Sequence, residues 1–550
     1  WTTQTGLVVR GFISRIDDTV QPYGLVVPET YQAGSAHRHR LDIWLHGRNE
    51  SITENAFLLQ RRSQTGQYTP ADTFVVHPYG RYSNAFKFAG ETDVLESLAE
   101  VQRRYSIDED RISMRGFSMG GAGCWQFAVH YPDWFFAANP GAGFSETRQF
   151  LESFQGQTLN PTWWEEKLWR LYDCDLYAAN LFNTSVIAYS GEIDKQKQAA
   201  DVMEEALQKL GMKLTHIIGP QTAHKIHPDS AVEIESRMAA LAVNGRDTSP
   251  SRVLFTTYSL KYNTMKWVRI DGMKEHWEPA RVDAEVIDGK SIIIKTENVS
   301  GLSLNMESGS APFDLQKTVS IKIDGQAISG VQAETDRSFH ASLYRESGKW
   351  KSGVQATKEG TFKKVHNLQG PVDDAFMERF IFVTPTRRST NTHMQDWSTA
   401  ELERAIEHWR RHFRGDAIVK KDTEITDDDI ASANLVLWGD PTSNAFTKRI
   451  AGQLPIHWDA QSIQVGKQLY SSDDHGLILI YPNPLNPEHY VVLNSSFTFR
   501  DFAYLNNARQ VPMLPDWAVV NLDTPSNSVW PGKVVEAGFF DESWQLKPAQ

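Results

Sequence analysis

The sequence predicts an α/β fold in its first 245 residues, built on a central and mostly parallel sheet, with a β-sandwich-like unit and a smaller α/β unit after it. Three observations carry this reading. Short apolar runs alternate with amphipathic helical stretches up to about residue 243. Such alternation implies parallel strands covered on both faces. A Gly-x-Ser-x-Gly turn sits between a strand-like and a helix-like segment. After residue 250 the texture changes to closely spaced short strands broken by Asp-Gly turns at Asp271-Gly272, Asp288-Gly289 and Asp324-Gly325.

Leu7-Val8-Val9-Arg10-Gly11-Phe12 and Tyr23-Gly24-Leu25-Val26-Val27-Pro28 read as an antiparallel lead-in. Leu41 to His46 and Thr73 to His77 are fit for central strands, and residues 92–105 form an amphipathic helix. Arg111 to Arg115 is a strand that runs into the Ser118 turn, and a buried helix follows from Met119 to His130. Further strands are expected at Phe135 to Ala138, Val186 to Tyr189 and Leu214 to Ile218, with helices over 195–210 and 231–243. Residues 244–251 read as a linker. The expected divisions are 1–245, with a lid insertion at about 144–184, then 250–335 and 336–550. Strands at 253–259, 266–270, 281–286, 291–295 and 319–323 point to a sandwich. Strands at 380–383, 435–438, 477–480 and 490–493, with a helix over 399–413, make up the last unit.

With 550 residues the chain exceeds one core. A formal net charge of −12 argues against nucleic acid or an anionic membrane as partner, and no apolar run is long enough to span a bilayer. Seventeen Trp mean mostly core, yet aromatic rings are also platforms for sugars. Cys124 and Cys174 either pair as a disulfide or, the favoured reading, stay as buried thiols. No CxxC and no clustered Cys/His signature occurs, so neither metal nor cofactor is expected. A chain beginning at Trp1 reads as a processed or trimmed product, and a secreted or periplasmic bacterial location is expected. No oligomeric state follows from the sequence.

Gly116-Phe117-Ser118-Met119-Gly120-Gly121 has the form of a nucleophile elbow, which lifts a serine oxygen above a sheet. A serine hydroxyl needs a base, and the base needs an orienting carboxylate. Ser190-Gly191-Glu192-Ile193-Asp194 places an acid after one strand; Asp194 is favoured over Glu192 by its Gly-x-x-Asp spacing. Ala223-His224 follows the next strand, and His224 is favoured over His227, which precedes Pro228 and packs at a helix start or lines the pocket. All three positions fall at strand C-terminal ends, where open α/β sheets bind ligands. The backbone N–H groups of Met119 and Arg48 are the expected oxyanion donors. The Arg48 side chain either meets an anionic substrate group or pairs with Glu50 or Glu91. Trp163 or Trp164, in the aromatic insertion, is expected to face the acyl or sugar pocket.

His46-Gly47-Arg48, the elbow, Tyr131-Pro132-Asp133-x-Phe135, Gly191-x-x-Asp194 and Ala223-His224 together resemble α/β-hydrolases. Within that superfamily they look like the bacterial prolyl-oligopeptidase-like and dienelactone-hydrolase-like group, several of whose members are acetylxylan or feruloyl esterases. The resemblance spans about residues 20–242, and Ala223 departs from the glycine often found before the histidine. It implies a Ser118–His224–Asp194 triad. Because strands of this type begin within the first thirty residues, no propeller of the peptidase kind is expected before them. The expected substrate is therefore an acylated carbohydrate and the expected reaction ester hydrolysis, with a prolyl-oligopeptidase-like peptidase as the alternative.

Overall fold

The computed structural model describes residues 2–355 and 360–547. Its first sheet has eight strands: β1 Gly6–Ile13, β2 Val20–Val27, β3 His39–Leu45, β4 Thr73–Pro78, β5 Ile107–Phe117, β6 Ala137–Gly141, β7 Ser185–Gly191 and β8 Thr215–Gly219. They lie in the order β1-β2-β4-β3-β5-β6-β7-β8. β1 and β2 pair antiparallel, β2 meets β4 antiparallel, and every later neighbour is parallel. Helices α1 Glu54–Ser63, α2 Ala89–Arg104, α3 Met119–His130, α4 Trp163–Trp169, α5 Gln198–Lys209 and α6 Pro228–Asn244 complete this part. α3 is buried along its whole length, which explains its small and apolar composition. The antiparallel lead-in and the parallel centre follow the sequence reading. α2 begins three residues earlier than its apolar spacing suggests, after Phe88, whose φ is 53°.

Residues 252–352 form two five-stranded sheets. Between them lies an apolar core of residues such as Phe255, Trp267, Ile294, Leu304 and Phe339. Val299–Met306, Gln326–Gln332, Phe339–Glu346 and Lys349–Ser352 are strands that the sequence reading passed over. The last part holds a seven-stranded mixed sheet. Four strands, Ile418–Lys421, Phe380–Thr384, Asn434–Leu437 and Asn486–Leu493, are mutually parallel, and the remaining neighbour pairings are antiparallel. Helix α7, Thr392–Phe413, covers it. It starts seven residues before the expected position because Asn391 caps it, accepting from the N–H groups of His393 and Met394.

The parts share interior. One apolar cluster joins Phe88, Leu168, Trp169 and Tyr172 of the first part to Phe376, Trp409, Phe497 and Phe499 of the last. Within this seam the Arg81 guanidinium, fully buried, grips both oxygens of Asp17 at 2.8 and 3.0 Å. The Trp409 indole N–H donates to Asp17 at 2.8 Å. Burial alone would raise the Asp17 pKa; the bonds and charge of Arg81 outweigh it and hold the carboxyl below its usual value. The middle part is tied by Asn180, which donates to the Thr256 carbonyl and accepts from the Thr256 N–H. Removing one partner of a buried pair strands the other charge. Arg81→Met should therefore cost about 3–5 kcal/mol, measured as a lower urea midpoint for the transition that exposes Trp409; an unchanged midpoint would show that the pair does not hold the seam.

Candidate active site

β5 delivers Ser118 at the entry to α3. Ser118 has φ 62° and ψ −122°, a strained conformation for a residue with a side chain. Its N–H donates to the Gly141 carbonyl at 2.9 Å, and its carbonyl accepts from Ala122. The glycine at 120 is required by proximity, since a Cβ there would lie 2.0 Å from the Leu45 carbonyl oxygen. Gly143 has φ +88°, and a Cβ on it would stand 2.5 Å from the Ser118 carbonyl oxygen.

The Ser118 Oγ lies 2.8 Å from His224 Nε2. His224 Nδ1 lies 2.8 Å from Asp194 Oδ2. The other oxygen of Asp194 accepts the Gln196 N–H at 2.9 Å, which caps the short turn after β7 and fixes the carboxylate. Glu192, the rival acid, is engaged instead by the backbone and side chain of Gln221. Phe117 backs the imidazole, with ring centroids 4.8 Å apart. The loop that carries His224 is clamped by Tyr189, whose hydroxyl donates to the Lys225 carbonyl at 2.9 Å and accepts the His227 N–H at 2.8 Å. Tyr189 and Gln196 escaped the sequence reading. Tyr189 looks like any strand residue, and only the cap position after Asp194 hints at Gln196. Asp194 is buried while the His224 side chain is 41% exposed, so the site opens to solvent.

Met119 is the first residue of α3, where no intrahelical carbonyl stands four residues back to receive its N–H. The loop after β3 passes over the serine, with a Gly47 Cβ position 3.7 Å from the Ser118 Cβ. Arg48, next in that loop, turns its guanidinium away to Glu50 and to the carbonyls of Tyr504 and Leu505 at 2.8 and 3.0 Å. Glu50 is one of the alternatives the sequence left open for this side chain. Glu91 is buried and bonded to Gln126, Tyr131 and Tyr262.

The other sequence candidates lie elsewhere. Trp163 packs edge-on against Trp164 and Phe539, and the Trp164 indole donates to the Met513 carbonyl. The indoles thus serve the seam with the last part, because α4 presents that side to it. His227 precedes α6 as its N-cap residue and lines a surface pocket between β8 and α6 with Thr215, Ile217 and Arg237. Beside the insertion a cavity of about 430 Å³ opens, walled by Leu151, Trp169, Phe502, Arg509 and Trp530 among others. Cys124 and Cys174 are free and buried, and burial pushes both thiols up from their ordinary pKa.

Beneath the sheet, a charge network joins the segments that carry the site. Asp42 on β3 accepts from Arg40, Ser113 and Arg115, and Arg115 on β5 also reaches Glu235 on α6 at 2.8 Å. Burial would raise the Asp42 pKa, but Arg40 and Arg115 outweigh it and hold it low.

The eight-stranded sheet, its strand order and the strained elbow define an α/β-hydrolase fold. Residues 82–244 match the model of the prolyl oligopeptidase family. A curated relative from Arthroderma benhamiae, described as an uncharacterized secreted protein, is 25% identical over 475 residues, covering 80% of this chain. The chain spans about half that relative's length, 48%. Among solved structures, a thermostable esterase shares 18% identity at a TM-score of 0.32, covering 44% of this chain and 63% of its own. A putative dipeptidyl aminopeptidase IV from Bacteroides ovatus shares 14% at 0.34, covering 44% and 36%. No helix among the described residues is long and apolar enough to cross a membrane.

Two outcomes follow. Gly143→Ala should push the elbow off its position and lower turnover about 10²-fold in single-turnover assays, with near-wild-type circular dichroism. The Asp42 carboxyl titrates below its unfolded value of about 3.9, so its contribution is intact at neutral pH and fades as pH falls through that range. Asp42→Asn should therefore flatten the acid limb of a stability-versus-pH curve; an acid limb as steep as wild type would remove Asp42 from the account.

Proposed function

We propose that this chain is a secreted serine esterase that removes acyl groups, of acetyl or feruloyl type, from carbohydrates through an acyl-enzyme. The observation that carries the reading is the unbroken relay from Ser118 through His224 to Asp194, each link 2.8 Å long. Ser118 Oγ attacks the acyl carbon as His224 Nε2 takes its proton. Asp194 holds the opposite N–H and stabilises the imidazolium. The N–H groups of Met119 and Arg48 donate to the developing oxyanion. The intermediate collapses, the sugar alkoxide leaves with the proton from His224, and the acyl group stays on Ser118. Water then gives a proton to His224, attacks the acyl carbon and frees the acid and the serine.

Solvent exposure of His224 favours an ester. An open site provides a weaker preorganised field than an enclosed one, and an ester's alkoxide leaves more readily than an amine. Aromatic faces of Trp169, Phe502 and Trp530 in the cavity beside the insertion suit sugar rings. Gly143, just before the insertion, packs against the elbow. The family match keeps a peptidase reading alive, since its model bears the name of prolyl oligopeptidases.

One panel separates them: p-nitrophenyl acetate, acetylated xylan, methyl ferulate, methyl-esterified pectin, and prolyl and dipeptidyl chromogenic peptides. Turnover of acetylated xylan or methyl ferulate is expected, falling to background in Ser118→Ala and by about 10⁴-fold in Asp194→Asn. Cleavage of the peptides with no ester turnover would replace the esterase reading. Full activity in Ser118→Ala would end both.

A further inference from the structure

At the edge of the sheet opposite Ser118, the start of β3 and the start of β4 bring together three groups that the relay does not use. His37 and His39 flank Arg38 in the entry to β3, and Asp72 immediately precedes β4. The Nε2 of His37 lies 2.8 Å from Asp72 Oδ2. The Nδ1 of His39 lies 2.9 Å from Asp72 Oδ1. All three donor atoms fall within 4.8 Å of one another.

We propose that His37, His39 and Asp72 form a binding site for one divalent transition-metal ion of the zinc class. Two imidazoles and one carboxylate are a borderline-soft donor set, which suits zinc, cobalt or nickel and disfavours magnesium and calcium. A tetrahedral ion with bonds near 2.0–2.1 Å sets its donors about 3.3 Å apart, so the imidazole–carboxylate spacings of 2.8 and 2.9 Å would open slightly around it. Three protein donors leave a fourth position for water.

His39 makes this more than a surface ion pair. Its side chain is 1% exposed. Although its Nδ1 lies near Asp72, the alignment is not that of a hydrogen bond, and among the described residues the atom has no hydrogen-bond partner. A buried, aimed ring nitrogen without a hydrogen bond is costly, and a metal ion would satisfy it. The ring cannot readily turn to another partner. Tyr31 and Phe74 stand edge-on to it at 5.7 and 5.4 Å, and its backbone N–H is tied to the Ser106 carbonyl. The His37 ring stands at 79° to it, with centroids 4.4 Å apart, and remains exposed as the route of entry. Thr30 Oγ1 donates to Asp72 Oδ1 at 2.5 Å, the kind of outer bond that orients a ligating carboxylate. Asp72 itself adopts φ 55°, a left-handed turn that aspartate tolerates.

The site joins the loop before β3 to the loop before β4. Its occupation would stabilise the fold and add no group to the Ser118 edge. The test strips the full chain with EDTA, adds zinc chloride or magnesium chloride, desalts, and measures retained metal and the unfolding midpoint. One equivalent of zinc is expected, no magnesium, and a midpoint raised by roughly 5 °C in saturating zinc. The chain has 17 histidines, so stray zinc is subtracted with variants. His37→Ala, at an exposed position, should fold, lose the equivalent and the shift, and keep ester turnover. Thr30→Val should weaken zinc by about tenfold. Zinc retained equally by His37→Ala and Asp72→Asn, or no zinc-dependent shift in the wild type, would reduce the cluster to an ion pair and overturn the site.

Discussion

The buried pairing of Asp42 with Arg115, and of Arg115 with Glu235, holds the reacting edge of the molecule in register. Arg115 is fully buried and Asp42 nearly so. Charges this deep persist only where each finds its partners, because leaving one alone costs several kcal/mol. The partners lie on three segments with one thing in common. β3 runs on into the loop of Gly47 and Arg48, β5 runs on into Ser118, and α6 follows the loop of His224. A slip of any of them by one residue would break the network. The same constraint lets Ser118 keep its strained backbone, since strain survives only where the surroundings over-determine it.

A second constraint comes from far along the chain. Arg48 is tied to the carbonyls of Tyr504 and Leu505, the Lys87 ammonium to the Asn507 carbonyl, and the Asn507 side chain to the Ser83 carbonyl. Burial draws the Lys87 pKa down to about 8, against the pull of Asp173. These bonds attach the 501–509 segment to the loops beside the serine. The last part of the chain therefore helps shape the site without supplying a reacting group.

The sequence made some of this legible and hid the rest for identifiable reasons. β3, β4 and β7 were readable because strands covered on both faces are nearly continuous apolar runs, and the glycines around Ser118 mark a turn with its own signature. Residues 299–306 were missed because Ser300-Gly301 put Val299 out of phase with the alternation Leu302-Ser303-Leu304-Asn305-Met306. Trp163 and Trp164 pack on Phe539 and the Met513 carbonyl, neighbours that spacing could not give: it shows which side of a helix is apolar, never what packs on it. Tyr189 clamps the histidine loop through a hydroxyl that no local pattern distinguishes. His37 and His39 sit two apart in the chain, but Asp72 comes 33 residues after His39, and only the pairing of β3 with β4 unites them.

That pairing also explains why the two edges of the sheet differ in character. At the carboxyl edge, strands end in glycine turns, a strained serine and a half-exposed histidine, a geometry suited to chemistry and poor in intrinsic stability. At the amino edge, His39 is locked among aromatic rings and its backbone is tied to Ser106. β3 spans both, with His39 at one end and the His46–Arg48 loop just beyond the other. Anything that fixes the start of β3 also limits how far that loop can drift from Ser118, because a strand paired on both sides moves as a unit. The rigidity the site needs is thus supplied from beneath by Asp42 and from behind by the amino edge, leaving the Ser118 face open to substrate.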